Sequence, residues 1–153
     1  MPEMLKKIQT LNLQLPPAPA AAGSYLPFLK IGNVLYLSGQ LPKDVNGKLL
    51  TGRLGKDIDL KQGRKAAELA ALNVLSLIEQ AVGLDCVDRI IKVVGYVQCS
   101  ENFDEISQVI NGASDLFVKL WGDKGKHVRS AVGMISLPLD AAVELEVTVQ
   151  LNS

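Results

Sequence analysis

The sequence predicts an α+β domain, a mixed β-sheet with two helices packed on one face. Three observations carry this. Val143, Leu145, Val147, Val149 and Leu151 alternate with Glu144, Glu146, Thr148 and Gln150, the period-two pattern of a strand with one face in a core. Two long stretches place their apolar residues at helical spacing. Short apolar runs before, between and after those stretches supply the other strands. The order is strands, helix, strand, helix, two strands, which leaves two helices for one sheet face and nothing for the other. At 153 residues a single domain spanning 1–153 is expected, large enough for a real core.

Taken in order, residues Met1 to Leu13 fit either a short helix or a strand. Leu15 to Ala22, LPPAPAAA, reads as an extended strap across the surface. Phe28 to Ile31 and Val34 to Leu37 read as two short strands around a Gly32-Asn33 turn. Asn46-Gly47 is a second turn, since both residues tolerate positive φ. The first long helix is expected from about Asp59 to Val82, with Ala67, Ala70, Ala71, Val74, Leu77, Ile78 and Ala81 on its buried side and Gly83 as its C-cap. Its many alanines suit a close approach to a sheet. Asp88 to Val97, with Ile90, Ile91, Val93 and Val94, reads as a central strand.

The second helix is expected from about Phe103 to Leu120, opened by a capping box of Asn102 and Glu105. Phe103, Ile106, Val109, Ile110, Ala113, Leu116, Phe117 and Leu120 form its apolar face. Trp121 to Lys126 is a loop with two glycines. From His127 to Leu151 the pattern predicts two strands joined by a turn at Leu137–Asp140.

Composition narrows the function classes. Sixteen basic residues balance sixteen acidic ones, so no electrostatic footprint favours nucleic acid or an anionic membrane. Apolar content of 48% against 21% charged residues is high for a small domain, and points to apolar surface covered by other subunits. No run near the N-terminus is long and apolar enough for a signal peptide or a membrane span. Two cysteines make no disulfide framework, and a single histidine makes a transition-metal site an unpromising reading. A cytoplasmic, reducing setting is the expectation.

The polar residues of the last two strands are the first candidate site. With a hairpin turn at Leu137-Pro138, Glu144 lies opposite Ala131, and Arg129 is the next residue on that face, roughly 7 Å away. Arg stays charged and can grip both oxygens of a carboxylate. Glu can position or deprotonate a water. Spacing alone also fits a plain surface Arg–Glu pair, and a turn shifted by one residue separates the two faces. Ser38 and Gly39 lie just past a strand, where backbone amides can reach a ligand, although an ordinary turn uses the same residues. Asn111 sits beside the apolar face of the second helix, as a solvated residue or at a pocket rim. His127 reads as a loop residue that at a cleft rim could tune a ligand's charge.

Four blocks in order, GSYLPFLKIGN, LYLSGQLP, YVQCSENF and RSAVGMISLPLDAAVELEV, resemble the RidA (YjgF) family of enamine/imine deaminases, also known as endoribonuclease L-PSP. The resemblance covers about Gly23 to Val149. It implies a chorismate-mutase-like fold and a homotrimer with ligand clefts between subunits. It also implies hydrolysis of small 2-imino or enamine acids to 2-oxo acids and ammonia, without a cofactor or metal. Arg129 matches the family's carboxylate-binding arginine and Glu144 the glutamate that orients the attacking water. Tyr25 matches a pocket-closing tyrosine, and Ser38 and Asn111 match pocket-lining positions. The chain departs from the pattern at Ala131, where Cys or Thr is usual, at His127-Val128 in place of Pro-Ala, and at Ser24 in place of Pro. These departures leave a second expectation open, a trimeric module that binds a small carboxylate without turnover. A ribonuclease reading has no paired catalytic histidines and no basic groove behind it.

Overall fold

The computed structural model describes all 153 residues. Three helices, α1 (Glu3–Thr10), α2 (Leu60–Ala81) and α3 (Ile106–Trp121), accompany five strands, β1 (Phe28–Ile31), β2 (Val34–Leu37), β3 (Val87–Gln98), β4 (Val128–Met134) and β5 (Val143–Leu151). The sheet order is β1-β2-β5-β3-β4, antiparallel throughout except for the parallel pair β3–β4. That parallel pair needs a crossover, which α3 provides. The expected α+β layout holds, with α2 and α3 on one face of the sheet.

The core lies between that face and the two helices. Val143, Leu145, Val147, Val149 and Leu151 all point into it, as their alternation requires. Ala66, Ala67, Ala70 and Ala71 of α2 are fully buried. Asp59 and Gln62 form a reciprocal capping box that starts α2. The box expected at Asn102 and Glu105 is absent. The chain turns through a Phe103 N–H to Ser100 carbonyl bond first, and α3 begins three residues later than its pattern suggested, at Ile106 with no side-chain cap. Phe103 still packs on the core from that turn.

The expected β4–β5 hairpin is also corrected. The two strands do not touch; each pairs with a different edge of β3, so Glu144 lies opposite Tyr96 and not Ala131. The physical reason is in the connection. Eight residues, 135–142, separate the strands, more than a tight hairpin uses. They cross the end of β3, where Gln98, 1% exposed, holds them. Its Oε1 accepts from Leu137 N (2.8 Å) and its Nε2 donates to Asp140 Oδ1 (2.7 Å) and Gly52 O (3.2 Å).

The first helix is an addition on the rim. The Asp85 carboxylate caps it, accepting from Glu3 N (3.0 Å) and Met4 N (2.8 Å), while Ile8 is buried. Asn152 bonds to the Asp85 and Cys86 carbonyls, so both ends of the chain meet at this turn. The strap before β1 is tied to α2 by the Ser76 hydroxyl, which donates to Pro16 O (2.7 Å).

The second sheet face is bare. Leu29, Ile31, Tyr36, Val128, Val132 and Met134 stand there, each at least 36% exposed. No helix of the chain is long and apolar enough to cross a membrane.

Candidate active site

Arg129 leaves β4 on the helix-covered side of the sheet. Its Nη1 donates to Asn111 Oδ1 (2.7 Å) and to Ser114 Oγ (3.1 Å), both on α3. Asn111 and Ser114 are three residues apart, hence neighbours on one helix face. Gly112 between them touches the Arg64 main chain of α2, where any Cβ would overlap the Arg64 carbonyl. That backbone contact fixes how α3 is seated and aims its polar pair at the guanidinium. Behind Ser114 lies His127, with Nε2 2.9 Å from Ser114 Oγ and Nδ1 2.7 Å from Gly125 O. The imidazole packs edge-on to Phe117, ring centroids 5.9 Å apart.

Every partner of Arg129 is neutral. The chain's ion pairs are Arg64–Asp115, Lys65–Glu68, Lys124–Asp88 and Lys126–Asp123, and none uses it. Its Nη2 and Nε make no bond within the chain, so one edge of a fully charged fork is available.

Glu144 occupies the other face. It is half-buried and its carboxylate lies directly over the Gly39 backbone, where any Cβ would overlap Oε2. Gly39 is therefore required by close approach. Burial, with the neighbouring Glu146 charge second, raises the Glu144 carboxyl above its ordinary value. Tyr96 donates its hydroxyl to Glu146 Oε1 (3.2 Å), and burial first and that carboxylate second raise the phenol as well. The Gly39 N–H makes no bond within the chain. Ser38 is more committed, since its hydroxyl donates to Leu26 O and its N–H to Pro27 O (2.9 Å). Tyr25 lies nearby, its hydroxyl accepting from Ala22 N (3.1 Å). Tyr25, Ser38 and Gly39 line a cavity of about 110 Å³ under strap residues 19–22.

The structure thus gathers the expected residues into two groups. Arg129 and Asn111 form one; Tyr25, Ser38, Gly39 and Glu144 form the other. It does not bring Arg129 and Glu144 together, because β3 lies between their strands and they project from opposite faces. The polar patch expected from a hairpin is overturned for this reason. Ser114 was missed as a partner of Arg129, although its three-residue spacing from Asn111 was there to be used. The pattern of residues gives no sign of the His127–Ser114 bond; His127 stands just before β4, two residues ahead of Arg129. No three His, Cys, Asp or Glu side chains cluster where they could hold a metal ion.

This fold, a five-stranded mixed sheet with α2 and α3 on one face, is that of the chorismate-mutase-like class of α+β proteins. The chain belongs to the YjgF (RidA) family: residues 6–150 match the family described as "YjgF/chorismate_mutase-like, putative endoribonuclease". It is similar to Protein TCP17 of Trypanosoma cruzi, 43% identical over 95% of this chain and 92% of that one. It is similar also to the RutC family protein PM1466 of Pasteurella multocida, 36% identical over 94% and 95% of the two chains. Among solved structures, protein Atu1372 of Agrobacterium tumefaciens is 39% identical and superposes with a TM-score of 0.89, covering 97% of this chain and 94% of that one.

Proposed function

We propose that the chain assembles as a homotrimer whose clefts between protomers bind small 2-imino acids and hydrolyse them to 2-oxo acids and ammonia. The observation that carries this reading is Arg129, anchored by neutral oxygens on Nη1 and open on its other edge. Such a fork suits a substrate carboxylate. Its partner group must come from a second copy, since Glu144, Gly39, Ser38 and Tyr25 face the other way. The bare apolar sheet face supplies a reason for copies to associate.

In the cleft, Arg129 holds the carboxylate while Asn111 keeps the guanidinium oriented. The Gly39 N–H of a neighbouring copy donates to the same carboxylate. Glu144 of that copy takes a proton from water as the oxygen bonds to the imine carbon. A raised carboxyl is better matched to that task than an ordinary one. The carbon–nitrogen bond then breaks, and the nitrogen leaves as ammonia with the protons gained from water. Imines of this kind hydrolyse unaided, so orientation and local electrostatics suffice as the protein's contribution.

Acceleration of 2-iminopropanoate hydrolysis by the wild-type protein, abolished in Arg129→Ala, tests the reading; no acceleration by the wild type overturns it. A second reading, a trimer that binds a small carboxylate without turnover, is favoured by Ala131, which packs on the core and offers the cleft no polar group. Binding of 2-oxobutanoate with no deaminase rate would select it.

A further inference from the structure

We propose that His127, acting through Ser114, is a positioning residue for Arg129, and that it holds the guanidinium in place only while its imidazole is neutral. This deepens the reading of Arg129 as the ligand-binding group and rests on it for its consequence, though not for its geometry.

The proton positions follow from chemistry. The Gly125 carbonyl can only accept, so the 2.7 Å contact places a hydrogen on His127 Nδ1. In a neutral ring Nε2 is then an acceptor, and at 2.9 Å it takes the Ser114 hydroxyl proton. Ser114 Oγ, its own proton committed, presents a lone pair to Arg129 Nη1 at 3.1 Å. Each link fixes the direction of the next, from the turn at Gly125 to the guanidinium. Asn111 holds the same nitrogen from the other side.

Protonation breaks the sequence at one point. Nε2 becomes a donor and aims a second cationic N–H at the oxygen that already receives Arg129. The Ser114 proton must turn elsewhere; the carbonyl of Ile110, one helical turn back, is the customary acceptor for a mid-helix serine. The oxygen has lone pairs for both donors, but two like charges then converge on it, and their repulsion drives off the longer Arg129 contact. The charged groups around the ring do not offset this. From β4 it faces Arg129, whose charge, after burial, helps keep the imidazole below its ordinary value of 6.5. From α3 it meets Ser114 and the Phe117 ring. On the turn and on β3, Lys124 is paired with Asp88 and Lys126 with Asp123, and Arg89 donates to the Lys126 carbonyl.

A Ser–His pair invites a nucleophile reading. The Arg129 N–H on Ser114 Oγ argues against it, since a cationic donor on that oxygen draws off its electron density and lowers its nucleophilicity.

The test is NMR of the unliganded protein between about pH 8 and pH 5, across the His range. The expected result is an Nδ1–H tautomer at neutral pH, titration below 6.5, and an Arg129 Nε–H signal that moves in step with the ring. In Ser114→Ala the ring still titrates but Arg129 no longer follows. An Nε2–H tautomer, or an Arg129 signal indifferent to His127, overturns the proposal. Covalent labelling of Ser114 by a fluorophosphonate overturns it in favour of a nucleophile. Binding of 2-oxobutanoate is expected to weaken in the wild type as pH falls through the His127 titration, approaching about tenfold only once the ring is fully charged, the loss of one charge-assisted hydrogen bond, and to stay flat in His127→Gln. Coupled signals in a protein that never binds 2-oxobutanoate would uphold the positioning role and overturn the ligand reading alone.

Discussion

Arg129 and Glu144 stand on opposite faces of one sheet, on the two strands that flank β3. No single copy can bring both to one small ligand. If they act together, each belongs to a different protomer's half of the site.

That arrangement predicts complementation. Arg129→Ala and Glu144→Gln are each expected to lose about 100-fold or more in 2-iminopropanoate hydrolysis, the scale of a lost charged clamp or general base. Unfolded together and refolded as an equal mixture, they should regain about a quarter of wild-type activity, because that fraction of shared sites draws an intact residue from each neighbour. Activity no higher than that of either variant alone would mean the two residues do not share a site.

Glu144→Gln should also make the protein more heat-stable at neutral pH. Burial and Glu146 raise the folded carboxyl above its unfolded value. The native state therefore binds the proton more tightly, and stability falls as pH rises through the window between those two values. Above that window the charge is carried at a cost that glutamine avoids. Thermal melts should show the variant above wild type at pH 7.5 and level with it at pH 4. The same shift places the acid limb of the rate profile above the ordinary carboxylate range, and Glu146→Gln should move it down.

Gly39→Ala tests the close approach under Glu144. The added methyl would overlap the carboxylate, and a cost of about 1–3 kcal/mol is expected from such overpacking. Most of it should vanish when Glu144→Ala is added, a coupling read from a double-mutant cycle in denaturant. Additive effects would mean the two groups are not in contact.

Val132→Glu probes the bare face. Buried among copies, the new charge should dissociate the assembly, seen by light scattering, with activity lost alongside. An unchanged mass would place the interface elsewhere.

Gln98→Ala should cost about 1–3 kcal/mol in chemical denaturation, since it leaves Leu137 N and the buried Gly52 O without their partner and unties the crossover at Asp140.

The sequence made the layers legible because alternation and helical spacing are local. Val143–Leu151 lies in the core as its pattern required, and α2 is bounded within a residue or two of its expected ends. Strand partners are not local. Two alternating runs joined through Leu-Pro look like a hairpin, and only the buried Gln98 at the far end of β3 reveals that the chain crosses over. The site suffered for the same reason. Arg129, Glu144 and Gly39 were recognisable by chemical type, but which face each occupies depends on register. Ser114 and His127 lie thirteen residues apart and meet only once α3 is laid against β4.

The meeting of both ends at the Asp85–Cys86 turn has a practical corollary. A short linker could close this chain into a ring, and new ends could be opened at the exposed Asn46-Gly47 turn without severing a strand or helix. Such a permutant would move the ends from the Asp85 rim to the β2–α2 connection, so reporters could be hung from either place and compared for their effect on assembly.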